Sequence, residues 1–340
     1  MNYRTLGKTG LRVSVLGFGC GNVGGLMIRG APAERERAVA RALELGINYF
    51  DTAPSYGDGV SEENLGLALK ALGTTPYVGT KFSVAGETRD VAGAITRSLE
   101  ASLRRLGLER VDLLQLHDRI GAARESGART VDVPMLLGEI VPALDKLRSQ
   151  GKLRFYGITA LGETDALHHA LGSGALGTAQ VCLNLLNPSA SVEVPPRFPA
   201  QDFRRLLQVA RPQGVGVIVI RVAAAGALTG SEARHPIAVP TVEPIASGPD
   251  YVADVRRARA LGDLVEEGHA ASLVEASLRF ALTDDAVSTV LLGYSSLEHL
   301  EEAAAAMDKG LLPEAARVRL TALWRRFADE RRAPGAGGTP

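Results

Sequence analysis

Eight short apolar runs, each followed by a segment with helical periodicity, constrain the fold of this chain more than any other feature. Runs that are apolar throughout and alternate with amphipathic helices are typical of parallel strands covered by helices. Eight such units favour closure into a barrel over an open sheet. The predicted strands cover residues 13–19, 47–51, 77–82, 111–117, 153–159, 179–184, 214–221 and 287–293.

Two further segments extend the strand–helix pattern at the ends of the chain. The GKTG turn at residues 7–10 lies between two extended halves and predicts a hairpin that seals the bottom of the barrel. A helix over 313–329 carries Leu320, Leu323, Trp324 and Phe327 at helical spacing and should pack outside the barrel. We therefore expect the α/β class, as a (β/α)8 TIM barrel with an N-terminal β-hairpin cap and an extra C-terminal helix. The barrel helices are predicted at 33–45, 61–71, 90–106, 135–149, 163–171, 201–211, 252–282 with a break near Gly268, and 297–308.

The length and composition of the chain are those of one barrel domain. It has 340 residues, of which 46% are hydrophobic, and can bury the core of a single α/β barrel. We predict one domain over residues 1–330 and a disordered tail, rich in Gly and Pro, over 331–340. Long loops in a compact domain are usually functional, so three of them should shape the substrate pocket: 118–134, 185–200 and 229–251.

Charge and cysteine content exclude several classes of function. The chain has 38 Lys and Arg residues and 38 Asp and Glu residues. It therefore has no net positive charge that would attract nucleic acid or an anionic membrane. The two cysteines, Cys20 and Cys182, are too few for a disulfide framework, and the start lacks the apolar region of a signal peptide. No His or Cys cluster has metal-ligand spacing, and no apolar run approaches the roughly 20 residues that span a bilayer. We expect a cytoplasmic protein without a metal site.

Four polar residues lie at or just past the ends of predicted strands. They are Asp51, Tyr56, Lys81 and His117. In a barrel of parallel strands these ends converge on one mouth, where active sites of this architecture are built. Such a pocket would combine a carboxylic acid, a phenol, an amine and an imidazole. These groups together can transfer a proton to or from a carbonyl or alcohol. The alternative is a structural ion pair with an unrelated loop tyrosine and core histidine, but the joint placement favours function.

Several motifs of the chain resemble those of the aldo-keto reductase superfamily, whose (β/α)8 barrels bind nicotinamide cofactors without a Rossmann fold. The opening RTLGKTGLRVSVLGFG, the segment GINYFDTAPSYGDGVSEENLGLAL, the GTK at 79–81 and DLLQLHD at 112–118 carry this resemblance. It extends from about residue 3 to about residue 308. The resemblance implies that the catalytic Asp, Tyr, Lys and His of the family fall on Asp51, Tyr56, Lys81 and His117.

The roles of these four side chains follow from the charge that hydride transfer creates. Hydride delivery to a carbonyl builds negative charge on its oxygen, so the site needs a proton donor and a polarising hydrogen bond there. We expect Tyr56 to donate the proton and the ammonium of Lys81 to stabilise the phenolate that remains. A lone buried ammonium is costly, so Asp51 should pair with Lys81. His117 should hydrogen-bond the substrate oxygen.

The resemblance also implies residues that contact the nicotinamide and the phosphates. The family binds the nicotinamide amide through a Ser–Asn pair, for which this chain has Thr159 and Ala160, and through a Gln that matches Gln180. The stacking aromatic usual at the end of strand seven is missing. Arg221 is near the position of the family's Ser there and could reach the pyrophosphate, or could instead pair with a loop carboxylate. Gly19, Cys20 and Gly21 are expected to bring backbone close to the nicotinamide and substrate, and Asp51 to contact the cofactor.

The segment LLGYSSLEHLEEAAAA resembles the adenosine-binding segment of the family. Gly293 permits close approach of the backbone, and Ser295 and Ser296 offer hydroxyls at a helix N-terminus that suits an anion. His299 replaces a residue that often binds the 2′-phosphate, and Glu302 is kept while Ala303 replaces Asn. No cationic clamp for NADP is therefore evident. Because most of the family prefers NADP(H), we expect NADP(H), with NAD(H) possible.

These observations predict an NAD(P)H-dependent oxidoreductase that interconverts an aldehyde or ketone with its alcohol. The expected partner is a small-molecule carbonyl or sugar substrate, with no nucleic acid and no membrane. An NAD-dependent aldose dehydrogenase that oxidises a sugar hemiacetal is the alternative that the altered cofactor residues suggest. A cofactor-sensing regulatory subunit with little turnover is the alternative from another class.

Overall fold

Eight parallel strands close into a barrel, as the apolar runs predict. In a computed structural model the described residues are 1–84, 89–123 and 130–330. Strands are numbered β1 to β8 around the barrel, and β8 pairs with β1 to close it. Their bounds are β1 Leu16–Gly19, β2 Tyr49–Asp51, β3 Tyr77–Phe82, β4 Val111–Leu116, β5 Leu153–Thr159, β6 Thr178–Cys182, β7 Gly216–Ile220 and β8 Val287–Gly293.

Helices surround the barrel and cover the outer faces of its strands. A short parallel pair, Arg119–Gly121 with Thr130–Asp132, follows β4. The larger helices are Pro32–Glu44, Val60–Leu72, Val91–Leu106, Val141–Ser149, Thr164–Gly172, Tyr251–Arg259, Leu273–Ala281, Leu297–Asp308 and Glu314–Glu330; shorter ones are Leu26–Arg29, Val133–Met135, Leu206–Ala210 and Asp263–Glu266, with a π-helical turn at Leu136–Ile140 and 3-10 turns at Arg211–Gln213 and Ala224–Thr229.

Two predicted helices differ from the structure. The helix predicted at 201–211 begins only at Leu206, because Arg204 and Arg205 have φ values of 47° and 56°, in the left-handed region. The backbone N–H of Arg205 donates to Ser189 at 2.7 Å, which holds that conformation. The helix predicted at 252–282 has the expected break near Gly268 but also a second one, so it is three helices, Tyr251–Arg259, Asp263–Glu266 and Leu273–Ala281.

The predicted N-terminal hairpin closes the bottom of the barrel. Tyr3–Thr5 pairs antiparallel with Arg12–Ser14 around a 3-10 turn at Gly7–Thr9. Leu6 and Leu11 are buried in an interior cluster with residues from several barrel strands. The interior is therefore filled from below, and the open rim is at the carboxyl ends of the strands.

The helix Glu314–Glu330 packs outside the barrel through the side chains that the sequence predicts. Leu320, Leu323, Trp324 and Phe327 are buried, and the indole N–H of Trp324 donates to the carbonyl of Leu185 at 2.9 Å. The predicted tail 331–340 lies outside the described residues. Across the part of the chain that is described, none of the helices has the length and apolar character that crossing a membrane requires.

Candidate active site

The four predicted catalytic side chains meet at the open rim of the barrel. Asp51 is the last residue of β2, Lys81 is near the end of β3, and His117 directly follows β4. Tyr56 is in the turn that follows β2. Parallel pairing of adjacent strands brings these ends together although they are far apart in sequence.

Lys81 and Asp51 form a buried ion pair beneath the rim. The side chain of Lys81 is 1% exposed, and its Nζ contacts Oδ1 of Asp51. The same nitrogen donates to the carbonyl of Thr52 at 2.8 Å. Burial alone would lower the pKa of Lys81, but the Asp51 carboxylate and the Tyr56 hydroxyl together raise it above its usual value. The amine is therefore a fixed positive charge at neutral pH.

Tyr56 lies between this charge and His117. The Lys81 Nζ is 4.9 Å from the centroid of the Tyr56 ring, and the hydroxyl of Tyr56 is among the groups that favour the charged form of Lys81. The His117 ring meets the Tyr56 ring edge-on, with centroids 5.9 Å apart and planes at 86°. Tyr56 is half-buried, and both rings line a cavity. A phenol backed by an ammonium can exchange its proton with an oxygen atom of a bound ligand.

The second oxygen of Asp51 has two neutral donors. Oδ2 accepts from the Tyr49 hydroxyl at 2.9 Å and from the Gln180 amide at 2.6 Å. Sequence reasoning overlooked Tyr49, although residues two apart in a strand share a face and the motif NYFD contains that signal. Gln180 faces the cavity as predicted, but its N–H is directed to Asp51.

One cavity of about 880 Å³ begins at Asp51, Tyr56 and His117, with Lys81 buried behind them, and continues toward the helix after β8. All of the predicted cofactor-binding residues except Cys20 and Ser296 line it. Burial raises the pKa of the Cys20 thiol, so this side chain stays protonated. The Ser296 hydroxyl accepts from the backbone of His299 at 3.4 Å and caps the helix Leu297–Asp308. The predicted residues on the cavity wall are Gly19, Gly21, Asp51, Thr159, Gln180, Arg221, Gly293, Ser295, His299 and Glu302.

Arg221 brings a guanidinium to the middle of the cavity. It adopts φ 58°, and its carbonyl accepts from the Asn184 amide at 2.8 Å, which anchors this unusual backbone. Its guanidinium donates to the backbone carbonyl of Glu243 at 3.4 Å, and it forms no salt bridge with a loop carboxylate among the described residues. Burial is the main cause that lowers the Arg221 pKa. The Arg221 guanidinium is partly removed from water, and its contact with the Glu243 carbonyl is long and uncharged. It therefore suits an anionic ligand.

Two hydroxyls on the cavity wall donate their protons to backbone carbonyls. Thr159 donates to the carbonyl of Leu116 at 3.0 Å, and Ser295 donates to that of Gly24 at 2.7 Å. Each oxygen can therefore serve a ligand as an acceptor, which suits an N–H or O–H group.

The predicted loop 229–251 covers the outer part of the cavity. Arg234 donates to the carbonyls of Ala225 at 2.8 Å and Val239 at 2.6 Å, which ties the loop to the segment after β7. The His235 ring meets that of His299, with centroids 5.8 Å apart. At the far end, Lys309 pairs with Glu275 at 2.6 Å. The loop thus forms one side of an elongated cleft.

Comparison with known proteins agrees with this geometry. The model of the aldo/keto reductase family matches residues 15–325. An L-galactose dehydrogenase from Arabidopsis thaliana is 34% identical over 316 residues, covering 90% of this chain and 88% of that protein. A D-threo-aldose 1-dehydrogenase from a Pseudomonas species is 28% identical over 343 residues, covering 92% and 95%.

A solved structure has the same fold. An aldo-keto reductase from Bacillus halodurans in its holo form superimposes with a TM-score of 0.70, at 24% identity, and covers 96% of each chain. The superposition therefore extends over nearly the whole of both chains.

Proposed function

The chain belongs to the aldo/keto reductase family, and from that premise we propose that it uses Tyr56 as the proton donor in a reversible reduction of an aldehyde or ketone. The family is one of oxidoreductases that use nicotinamide cofactors and bind small carbonyl substrates. The single observation that carries the proposal is the buried Lys81 ammonium, 4.9 Å from the Tyr56 ring.

Each of the four side chains has a task in this reaction. A nicotinamide dinucleotide bound in the cavity would supply the hydride to the carbonyl carbon, or would accept it in the reverse direction. Tyr56 gives its O–H proton to the carbonyl oxygen as the C=O π bond breaks, and Lys81 stabilises the phenolate that remains. Asp51 holds Lys81 through the buried ion pair. His117 donates a hydrogen bond to the substrate oxygen, where negative charge develops.

The cavity wall fits a dinucleotide. The desolvated guanidinium of Arg221 suits the pyrophosphate, and Thr159 offers an acceptor to the nicotinamide amide. Gly21 keeps the face of Tyr56 open, since a Cβ there would lie 3.5 Å from the phenol ring. We propose NADP(H) as the cofactor, with NAD(H) as the alternative; Gly293, Ser295, His299 and Glu302 would surround the adenosine end.

Oxidation of an aldose is the second candidate. The relatives at 34% and 28% identity are named L-galactose dehydrogenase and D-threo-aldose 1-dehydrogenase. In this direction Tyr56 would accept the proton of the hemiacetal hydroxyl while hydride leaves its carbon, and the product would be a lactone. The amide of Asn22, beside Tyr56 on the cavity wall, could bond a sugar hydroxyl.

Steady-state rates in both directions, with NAD(H) and NADP(H), test these proposals. The panel contains aldehydes, ketones and aldoses, and the enzyme is compared with Tyr56→Phe and with the control Tyr156→Phe, which removes a hydroxyl outside the barrel. We expect turnover that Tyr56→Phe abolishes and Tyr156→Phe preserves. Full activity of Tyr56→Phe would overturn the catalytic assignment. Faster lactone formation than carbonyl reduction would make the aldose dehydrogenase the first candidate. Tight coenzyme binding without turnover of any substrate would instead support a regulatory subunit.

A further inference from the structure

Tyr49 lies directly below the candidate catalytic centre, inside the barrel. It is fully buried on β2, two residues before Asp51, so both side chains point into the interior. Its hydroxyl donates to Oδ2 of Asp51 at 2.9 Å. Because Oδ1 contacts Lys81, the two carboxylate oxygens have different partners.

Two glycines on the neighbouring strands make room for this tyrosine. A Cβ at Gly79 on β3 would lie 2.6 Å from the Tyr49 hydroxyl, closer than real Cβ contacts allow. A Cβ at Gly17 on β1 would lie 3.2 Å from a carbon of its ring. The GTK motif therefore has a spatial reason for its glycine: the position two residues before Lys81 must leave space for the phenol.

The ring of Tyr49 is confined by its neighbours in the barrel interior. It packs in an interior cluster that includes Leu6 and Leu11 of the hairpin and Leu113 of β4. Burial is the main cause that raises the Tyr49 pKa well above its usual value, and the Asp51 carboxylate adds to it. The hydroxyl therefore keeps its proton near neutral pH and remains a donor to Asp51.

We propose that Tyr49 is a positioning residue that fixes the Asp51 carboxylate so that Lys81 stays directed at Tyr56. A buried carboxylate needs several donors, and its orientation follows from where they lie. Tyr49 and Gln180 hold Oδ2, so Oδ1 remains on the ammonium. Without the Tyr49 hydroxyl, only Gln180 holds Oδ2, and the carboxylate can rotate. Its negative charge then cancels more of the positive charge of Lys81, so the phenolate form of Tyr56 is less favoured. This inference rests on the proposed function of Tyr56.

The test compares Tyr49→Phe with Tyr156→Phe in the full-length enzyme. The control is matched because Tyr156 is also buried and its hydroxyl also bonds a carboxylate, Asp145 at 2.8 Å, but outside the barrel. For Tyr49→Phe we expect kcat to fall about tenfold, with a smaller change in the coenzyme KM, as for the loss of one hydrogen bond to a charged group. Tyr156→Phe should behave as the wild type.

The pH profile separates positioning from mere packing. Tyr49→Phe should move the acidic limb of kcat/KM for alcohol oxidation to higher pH by about one unit, since phenolate is less favoured. A loss of packing alone would lower the rate without moving the limb. The titratable groups around Asp51 that the profile must account for are Cys20 just after β1, Tyr49 on β2, Tyr56, Lys81 on β3 and His117 after β4.

A double mutant provides a second readout that does not depend on the pH profile. Gly79→Ala should reduce kcat in the wild-type background, because the new Cβ meets the Tyr49 hydroxyl. In the Tyr49→Phe background that oxygen is gone, so the same substitution should cost several-fold less. Equal effects of Gly79→Ala in both backgrounds would contradict the proposed contact.

The outcomes distinguish this inference from the proposed function. If Tyr56→Phe is inactive while Tyr49→Phe has the rate and pH profile of the wild type, the positioning role is wrong and the function stands. If the wild type turns over no substrate with either coenzyme, the proposed function and this inference are both overturned. Thermal unfolding of each variant verifies that the compared proteins are folded.

Discussion

The amide nitrogen of Gln180 lies 2.6 Å from Oδ2 of Asp51 inside the barrel, although the two residues are 129 positions apart in the chain. The side chain that the family resemblance proposes as a nicotinamide contact is tied to the buried carboxylate. A residue with both contacts would couple the orientation of the cofactor to that of the Asp51–Lys81 pair.

Gln180→Glu should reduce kcat/KM at least about tenfold at neutral pH, because it places a second carboxylate against Asp51. Activity should recover partly as the pH falls and one of the two carboxyl groups takes up a proton. Gln208→Glu makes the same change at an exposed helical position and serves as the control. A pH-independent loss would mean that charge repulsion is not the cause.

Lys81→Met should lower both turnover and stability, because it leaves the Asp51 carboxylate buried without its counterion. Removal of one partner of a buried pair costs about 3–5 kcal/mol in the free energy of unfolding. Urea denaturation measures this cost, with the exposed Lys70→Met as the control. A cost below that of the control would show that the pair is not stabilising.

The stability that Lys81 contributes should depend on pH in the alkaline range. Its folded-state pKa is raised above the usual 10.5. The contribution is therefore fully present below pH 10.5 and is lost as the pH rises through the folded-state pKa. The stability difference between wild type and Lys81→Met should be constant from pH 7 to 9 and shrink as the pH rises from 10.5 through that folded-state pKa. A difference that stays unchanged as the pH rises well past 10.5 would contradict this assignment.

Arg221→Ala should raise the dissociation constant of the coenzyme about tenfold, because it would remove the guanidinium that we propose pairs with the phosphates. Isothermal titration calorimetry measures the constant, and Arg221→Lys should recover part of the affinity. Arg110→Ala removes an exposed arginine just before β4, at the closed end of the barrel, and should bind like the wild type. An unchanged constant for Arg221→Ala would remove this residue from the binding site.

Gly21→Leu should restrict access to the phenol, because its side chain would project over the Tyr56 ring. A Cβ at this position lies 3.5 Å from the ring, so Gly21→Ala makes an ordinary contact and should be tolerated. We expect Gly21→Leu to raise KM for bulky carbonyl substrates more than for small ones. Equal changes for both sizes would mean that the substrate approaches from another side.

The sequence predicted the barrel well because the signals for its elements are local. Each strand is a short run of apolar residues, and each observed barrel strand overlaps a predicted one. The helix predicted at 201–211 was wrong at its start for a non-local reason. The hydrogen bond from Arg205 to Ser189 forms only when the loop before it is folded, and it sets a backbone conformation that composition does not encode.

The sequence by itself determined the fold class and brought Asp51, Tyr56, Lys81 and His117 to one rim, since apolar periodicity and strand ends can be read along the chain. Only the tertiary structure decided which atoms meet there. The contacts of Asp51 with Tyr49 and Gln180, and the neutral partner of Arg221, depend on distances across the barrel interior. Those distances follow from the closure and register of eight strands, which no local stretch of residues specifies.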